Sequence, residues 1–151
     1  MPVIRLETDV AASPQRCFDL ARDVDLHQRS TERSRERAVG RITSGRLTLG
    51  DEVTWEAVHF GLRLRLTSRI TKFDPPYEFV DEMVRGQFRS ITHVHRFLPA
   101  GEGTRMIDIF EYTAPLGPLG RLADALFLQR YMRTFLQQRN AYLKQVAQQE
   151  R

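Results

Sequence analysis

The chain has 151 residues, of which 41% are hydrophobic and 28% charged, with a formal net charge of +4. One core of that size needs neither a disulfide nor a structural metal, and no apolar run approaches the roughly 18 residues of a membrane span. The basic excess is interleaved with acids: its densest stretch, RSTERSRER at 29–37, alternates in sign and reads as a solvated face, and zinc-finger spacings, Walker loops and RNP-like motifs are absent, so nucleic acid is not an expected partner.

In chain order, VIRLETDV (3–10) predicts a first strand that ends at a helix-start signal. In ASPQRCFDLARD, Ser13 is placed to cap free backbone N–H groups and Pro14 sits in the first helical turn, where its missing N–H costs nothing. A second short helical turn follows near Val24 to Gln28. Strands are then predicted at 33–43, 46–60, 62–73, 77–85, 88–98 and 103–113, separated by Gly45, Gly61, Asp74-Pro75-Pro76, Gly86-Gln87 and Pro99-Ala100-Gly101. Those connections are too short for crossover helices, so the strands must run antiparallel, one face packed and the other wet. Val53, Trp55, Ala57 and His59 alternate with Glu52, Thr54 and Glu56, and Leu62, Leu64 and Leu66 alternate with Arg63 and Arg65. After APLGPLG, which reads as a stiff loop, the period becomes helical. Leu122, Leu126, Phe135 and Tyr142 predict one helix over 118–148, about 45 Å long and able to lie across a whole sheet.

The order of strand, two short helices, six antiparallel strands and a long terminal helix resembles the helix-grip fold of the SRPBCC superfamily, which holds START, birch-pollen-allergen-like and polyketide cyclase/dehydrase domains. The segments that carry the likeness are ASPQRCFDLARD, GDEVTWEAVHFG, FDPPYEFVDEMVRGQF, THVHRF, GTRMIDIFEYTAPLGPLG and QQRNAYL, spread over nearly the whole chain. The resemblance implies an α+β domain over 1–151: a seven-stranded curved antiparallel sheet wrapped around the C-terminal helix, enclosing an apolar cavity. The inferred wall is Trp55, His59, Leu66, Phe79, Met83, Met106, Phe110, Tyr112 and Phe135, with Asp81, His93, His95 and Asp108 as its polar members.

Within THVHRF, His93 and His95 stand two apart and share the strand face of Ile91 and Phe97. Simple hairpins set Asp81 roughly opposite His93 on one side and Asp108 roughly opposite it on the other. Three readings follow: a satisfied polar end to the cavity, a general acid/base at His93 oriented by Asp108 or Asp81, or a metal site. Cupin-type H-x-H sites need a carboxylate a few residues later and a distant third histidine, whereas Arg96-Phe97-Leu98-Pro99 follow here; neither metal nor cofactor is expected.

The expected function is therefore binding of a small hydrophobic molecule (a lipid, isoprenoid, quinone or polycyclic compound) in the cavity. The alternative is a polyketide cyclase/dehydratase-like enzyme using His93, and a third possibility is an interaction module that uses its surface. The lone Cys17, which cannot form an internal disulfide, and the charged start MPVIRLETDV fit a cytoplasmic protein without stable membrane insertion. A homodimer is left open.

Overall fold

The computed structural model describes residues 2–31 and 35–149. Strand β1 (Val3–Val10) leads into α1 (Pro14–Ala21), whose first turn is closed by Ser13 Oγ accepting from the Arg16 amide at 3.1 Å. Asp23 caps α2 (Val24–Ser30) in the same way, through the Leu26 amide. Six strands follow: β2 (Arg37–Val39), β3 (Glu52–His59), β4 (Leu62–Asp74), β5 (Glu78–Arg85), β6 (Ser90–Ala100) and β7 (Gly103–Thr113). All neighbours pair antiparallel in one seven-stranded sheet of order β1-β7-β6-β5-β4-β3-β2. The first strand crosses back to pair with the last, and the remainder is a meander set by short turns. At the β3–β4 turn Phe60 and Gly61 both take positive φ, 54° and 76°, which joins His59 to Leu62 across a two-residue hairpin.

Two predicted strands are shorter than their sequence pattern. The second was expected over 33–43, of which 33 and 34 lie outside the described residues, and forms a ladder only at Arg37–Val39. The third was expected from 46 and starts at Glu52. Gly40, Gly45 and Gly50 all take positive φ, and Asp51 accepts from the Thr48 amide at 2.8 Å, so 40–51 turns repeatedly instead of extending.

The C-terminal helix also departs from a single regular α-helix. It runs as α3 (Gly117–Ala123), a π-helical turn (Asp124–Leu128) and α4 (Gln129–Gln149), with right-handed helical dihedrals at both junctions. Gln129 N–H bonds back five residues to the Asp124 carbonyl, and the Tyr112 hydroxyl donates to the Asp124 side chain. A tertiary bond to one residue is the kind of constraint that the 3.6-residue period cannot reveal.

The sheet curls around α4 with core packing at both ends. At one, Phe18 is fully buried among Phe73, Phe79 and Phe97, with ring centroids 5.4, 5.4 and 5.6 Å away, and Leu143 and Ala147 close that end from α4. Burial of a side chain like Phe18 stabilises the fold by roughly 2 to 3 kcal/mol. At the other end Ile4, Leu6, Phe110 and Tyr112 pack with Leu136. Between these clusters the helix stands off the sheet.

Candidate functional site

The gap between helix and sheet is a cavity of about 210 Å³. Its wall is mostly apolar: Trp55, Leu64 and Leu66 from β3 and β4, Phe79 and Phe110 from β5 and β7, and Met132, Phe135 and Leu136 from the helix. The polar residues Asp81, His93, His95 and Arg139 also reach it.

The ladder of β5, β6 and β7 sets these groups, and it differs in one respect from the register expected. Asp81 lies opposite His93, as predicted, but Asp108 lies opposite His95, and Phe110 takes the place across from His93. Side chains that lean along their strands then pair on the diagonals. His93 Nε2 bonds Asp108 Oδ1 at 2.8 Å, and His95 Nε2 bonds Asp81 Oδ2 at 2.7 Å. Because both acceptors are carboxylates, each Nε2 carries the donated proton, and Nδ1 of His93 is the ring nitrogen left for a ligand.

Asp108 is only 4% exposed, which would be costly for an unpaired carboxylate. Besides His93 it accepts from Arg139 Nη2 at 3.2 Å and from Asn140 Nδ2 at 2.6 Å. Burial alone would raise its pKa, but the His93 bond and the nearby positive charge of Arg139 hold it well below the usual carboxylate range. Asp81 shows the same balance: burial pushes up, the hydrogen bond from His95 and the positive charge of Arg139 pull down, and the carboxyl stays ionised. For His95 the sign is reversed. Burial, helped by the adjacent His93, lowers its pKa to about 4 against the opposing pull of Asp81, so the ring is neutral near pH 7.

The rings form a stack. Phe79 lies 4.2 Å from His95 at 13°, His95 lies 3.7 Å from His93 at 24°, and Phe110 meets His93 edge-on at 5.2 Å. Asp81, His93 and His95 offer ligand atoms within 4.8 Å of one another, so their fit to a cation can be tested. A metal bound by both imidazoles must lie in both ring planes at about 2 Å from each nitrogen. Stacked rings with centroids 3.7 Å apart and planes inclined by 24° do not point their nitrogens at a common position at that range, and both Nε2 atoms already donate to carboxylates. The constellation as folded suits hydrogen bonding to a ligand better than chelation.

Of the residues the sequence nominated, Trp55, His59, Leu66, Phe79, Asp81, His93, His95, Phe110 and Phe135 line the cavity. Asp108 stands behind His93, bordering a small separate gap that also touches Met106. Three do not form the main wall. Met106 is buried in the Phe18 cluster, and Met83 lies beside Gly86, near where the β4–β5 ladder shifts register between Thr67 and Ser68. The Tyr112 side chain is fully buried and its hydroxyl is spent on Asp124. His59 sits on the wall bonded through Nδ1 to the Tyr131 hydroxyl at 2.5 Å. Arg139 and Asn140 were not singled out. Their spacing of four from Phe135 and Leu136 would have placed them on the inward helical face.

A curved antiparallel sheet gripping a C-terminal helix, with a cavity between them, defines the helix-grip class. The chain belongs to the polyketide cyclase/dehydrase and lipid transport family, whose model matches residues 1–148. Among solved structures it is similar to TTHA0849 from Thermus thermophilus, at 23% identity over 95% of both chains with a TM-score of 0.79. It also resembles CV1439 from Chromobacterium violaceum, at 15% identity over 97% of this chain and 96% of that one, TM-score 0.74. The major latex-like protein 151 of Panax ginseng aligns at 14% identity over 97% of each chain, TM-score 0.66. At these identities the likeness is one of fold. A search of the curated proteins finds no match.

Proposed function

We propose that the chain is a single binding domain, without metal or cofactor, that takes a small hydrophobic molecule bearing an oxygen function into the cavity between sheet and helix. The observation that carries this is the cavity itself: about 210 Å³, walled mainly by apolar and aromatic side chains, with hydrogen-bonding groups gathered around His93. Apolar wall supplies affinity through burial, and a few fixed polar atoms supply orientation. A lipid, isoprenoid, quinone or polycyclic compound meets that description. Among the described residues no helix is long and apolar enough to cross a membrane, and a cytoplasmic location is part of the same proposal.

A second reading is favoured by one specific feature. Asp108, held by Arg139 and Asn140, orients His93 through a 2.8 Å bond, which is the arrangement a histidine needs to exchange protons with an enolisable substrate. In a polyketide cyclase/dehydratase-like role His93 Nδ1 would act as the general acid/base and Asp108 as the positioning residue.

The test is native mass spectrometry of protein purified from its own host, paired with titration of the stripped protein with 1-anilinonaphthalene-8-sulfonate. A co-purified apolar molecule that displaces the fluorophore is the expected result. If nothing co-purifies and Trp55→Ala and Phe135→Ala bind the fluorophore as the native chain does, the cavity is not the binding site.

A further inference from the structure

The groups around His93 are not the cavity's only polar ones. Among the others, His27, Glu36, His59 and Tyr131 also line it. They are already organised among themselves. His59 Nδ1 bonds the Tyr131 hydroxyl at 2.5 Å, and His27 Nε2 bonds the Glu36 carboxylate. His27 also lies against Trp55, with centroids 4.2 Å apart and planes tilted by 38°, and Glu36 is near enough to act electrostatically on both His59 and Tyr131. His59 Nε2 has no partner among the described residues, so this end of the cavity has a ring nitrogen to offer.

Helix α4 gives the spacing of the two ends. It contributes Tyr131 to one and Arg139 to the other; eight residues of helix span about 12 Å. The rest of the wall is mostly apolar, with Met132, Phe135 and Leu136 from the helix and Leu66 and Phe110 from the sheet, and Ser68 and Gln87 among its few polar members. A flexible fatty chain with one head group would leave one of the two polar ends buried against hydrocarbon, at a cost for each unmatched hydrogen-bonding group.

Resting on the cavity-binding reading above, we propose a narrower ligand class: a rigid, apolar molecule, diaryl or polycyclic, with a hydroxyl or carbonyl oxygen at each end. One oxygen is taken by the Asp81, His93 and Arg139 side and the other by His59 and Tyr131. The rigid body fills the apolar middle.

Three fluorescent probes separate this from simple apolar binding: trans-stilbene, 4-hydroxystilbene and 4,4′-dihydroxystilbene, titrated into the native chain and into Tyr131→Phe and His59→Phe. The expected result is that the dihydroxy probe binds about tenfold more tightly than the monohydroxy one, equivalent to about 1.4 kcal/mol. Tyr131→Phe and His59→Phe should each remove most of that gain while leaving 4-hydroxystilbene, anchored at the His93 end, within about twofold. Thermal melts of both variants show whether the fold is retained, and either one retained suffices. Stilbene binding with no gain from the second hydroxyl, or an equal loss for all three probes in a folded variant, overturns the two-ended ligand while leaving cavity binding intact. If none of the probes binds the native chain while 1-anilinonaphthalene-8-sulfonate still binds in a manner lost with Trp55→Ala or Phe135→Ala, the rigid two-ended ligand is overturned and cavity binding stands; if that dependence is also missing, both readings fail.

Discussion

His95 gives the most direct solution test at the level of a single side chain. Its folded pKa is lowered to about 4, while an unfolded histidine titrates near 6.5. The unfolded chain therefore binds the extra proton between those values, and stability falls as pH drops from about 6.5 toward 4. Urea denaturation at pH 7 and pH 4.5 should differ by roughly 2 to 3 kcal/mol from this group. His95→Gln should flatten most of that slope. A residue of it remains with His59, whose pKa burial also lowers. Asp108 behaves in the opposite range: its depressed pKa keeps its contribution intact above the ordinary carboxylate pKa and forfeits it only in strong acid. Asp108→Asn should cost about 2 to 4 kcal/mol at pH 7, because it leaves the largely but not fully buried Arg139 opposite a neutral group. A loss under about 1 kcal/mol would show that Arg139 finds another partner. The sequence made the meeting of His93, Asp81 and Asp108 legible because alternation and hairpin length are nearly enough to place them. It did not show which carboxylate each histidine takes, since that depends on side-chain lean along the strand, nor the two residues that α4 adds to Asp108.

Among the elements, the π turn is where sequence periodicity and tertiary structure part. Leu122 and Leu126 recur at a helical spacing, so 118–148 read as uninterrupted, while the wide turn at Asp124–Leu128 coincides with the anchoring of Asp124 by Tyr112. Tyr112→Phe should cost about 1 kcal/mol, the net worth of one hydrogen bond, and hydrogen exchange should accelerate at 124–129 more than in the rest of α4. Uniform protection along the helix would mean that the bond does not hold the turn. Gly120 gives a second check on this helix. A Cβ there would stand 1.7 Å from the Pro115 carbonyl oxygen, so Gly120→Ala must displace the loop or the first turn of α3. At Gly101, where a Cβ would meet open space, alanine faces only the strain of a positive φ of 59°. Circular dichroism melts should show the larger loss for Gly120→Ala. Strand limits were the least legible feature: residues 40–51 carry apolar side chains, yet three glycines with positive φ turn the chain away from the ladder.

For the whole molecule, the proposed binding function predicts a division between wall and surface. Phe135→Ala removes a ring from the cavity and should destabilise the fold by roughly 2 to 4 kcal/mol while shifting preference toward bulkier ligands. Met83→Ala, off the main wall, should lower stability without altering fluorophore affinity. On the outer face, Arg69 pairs with Glu52 and Arg105 with Asp9, all substantially exposed. Replacing either arginine with Gln should change stability by under about 0.5 kcal/mol and leave binding unchanged, because solvent screens such pairs. Binding that followed the arginines and ignored Phe135 would move the functional surface outside. The architecture was readable at this scale because hairpin-length connections leave few topologies for seven strands. Cavity size was not, since it depends on how far the curled sheet holds α4 away.

The column of Phe79, His95 and His93 has one more consequence. Each imidazole lies over or beneath a neighbouring ring, with Phe110 edge-on to the last, so the carbon-bound protons of both histidines sit in overlapping ring-current fields. Their resonances should be displaced from those of the same histidines in the urea-unfolded chain in a one-dimensional proton spectrum. A ligand that seats beside His93 would shift those lines without any label being introduced, so the cavity carries its own occupancy reporter.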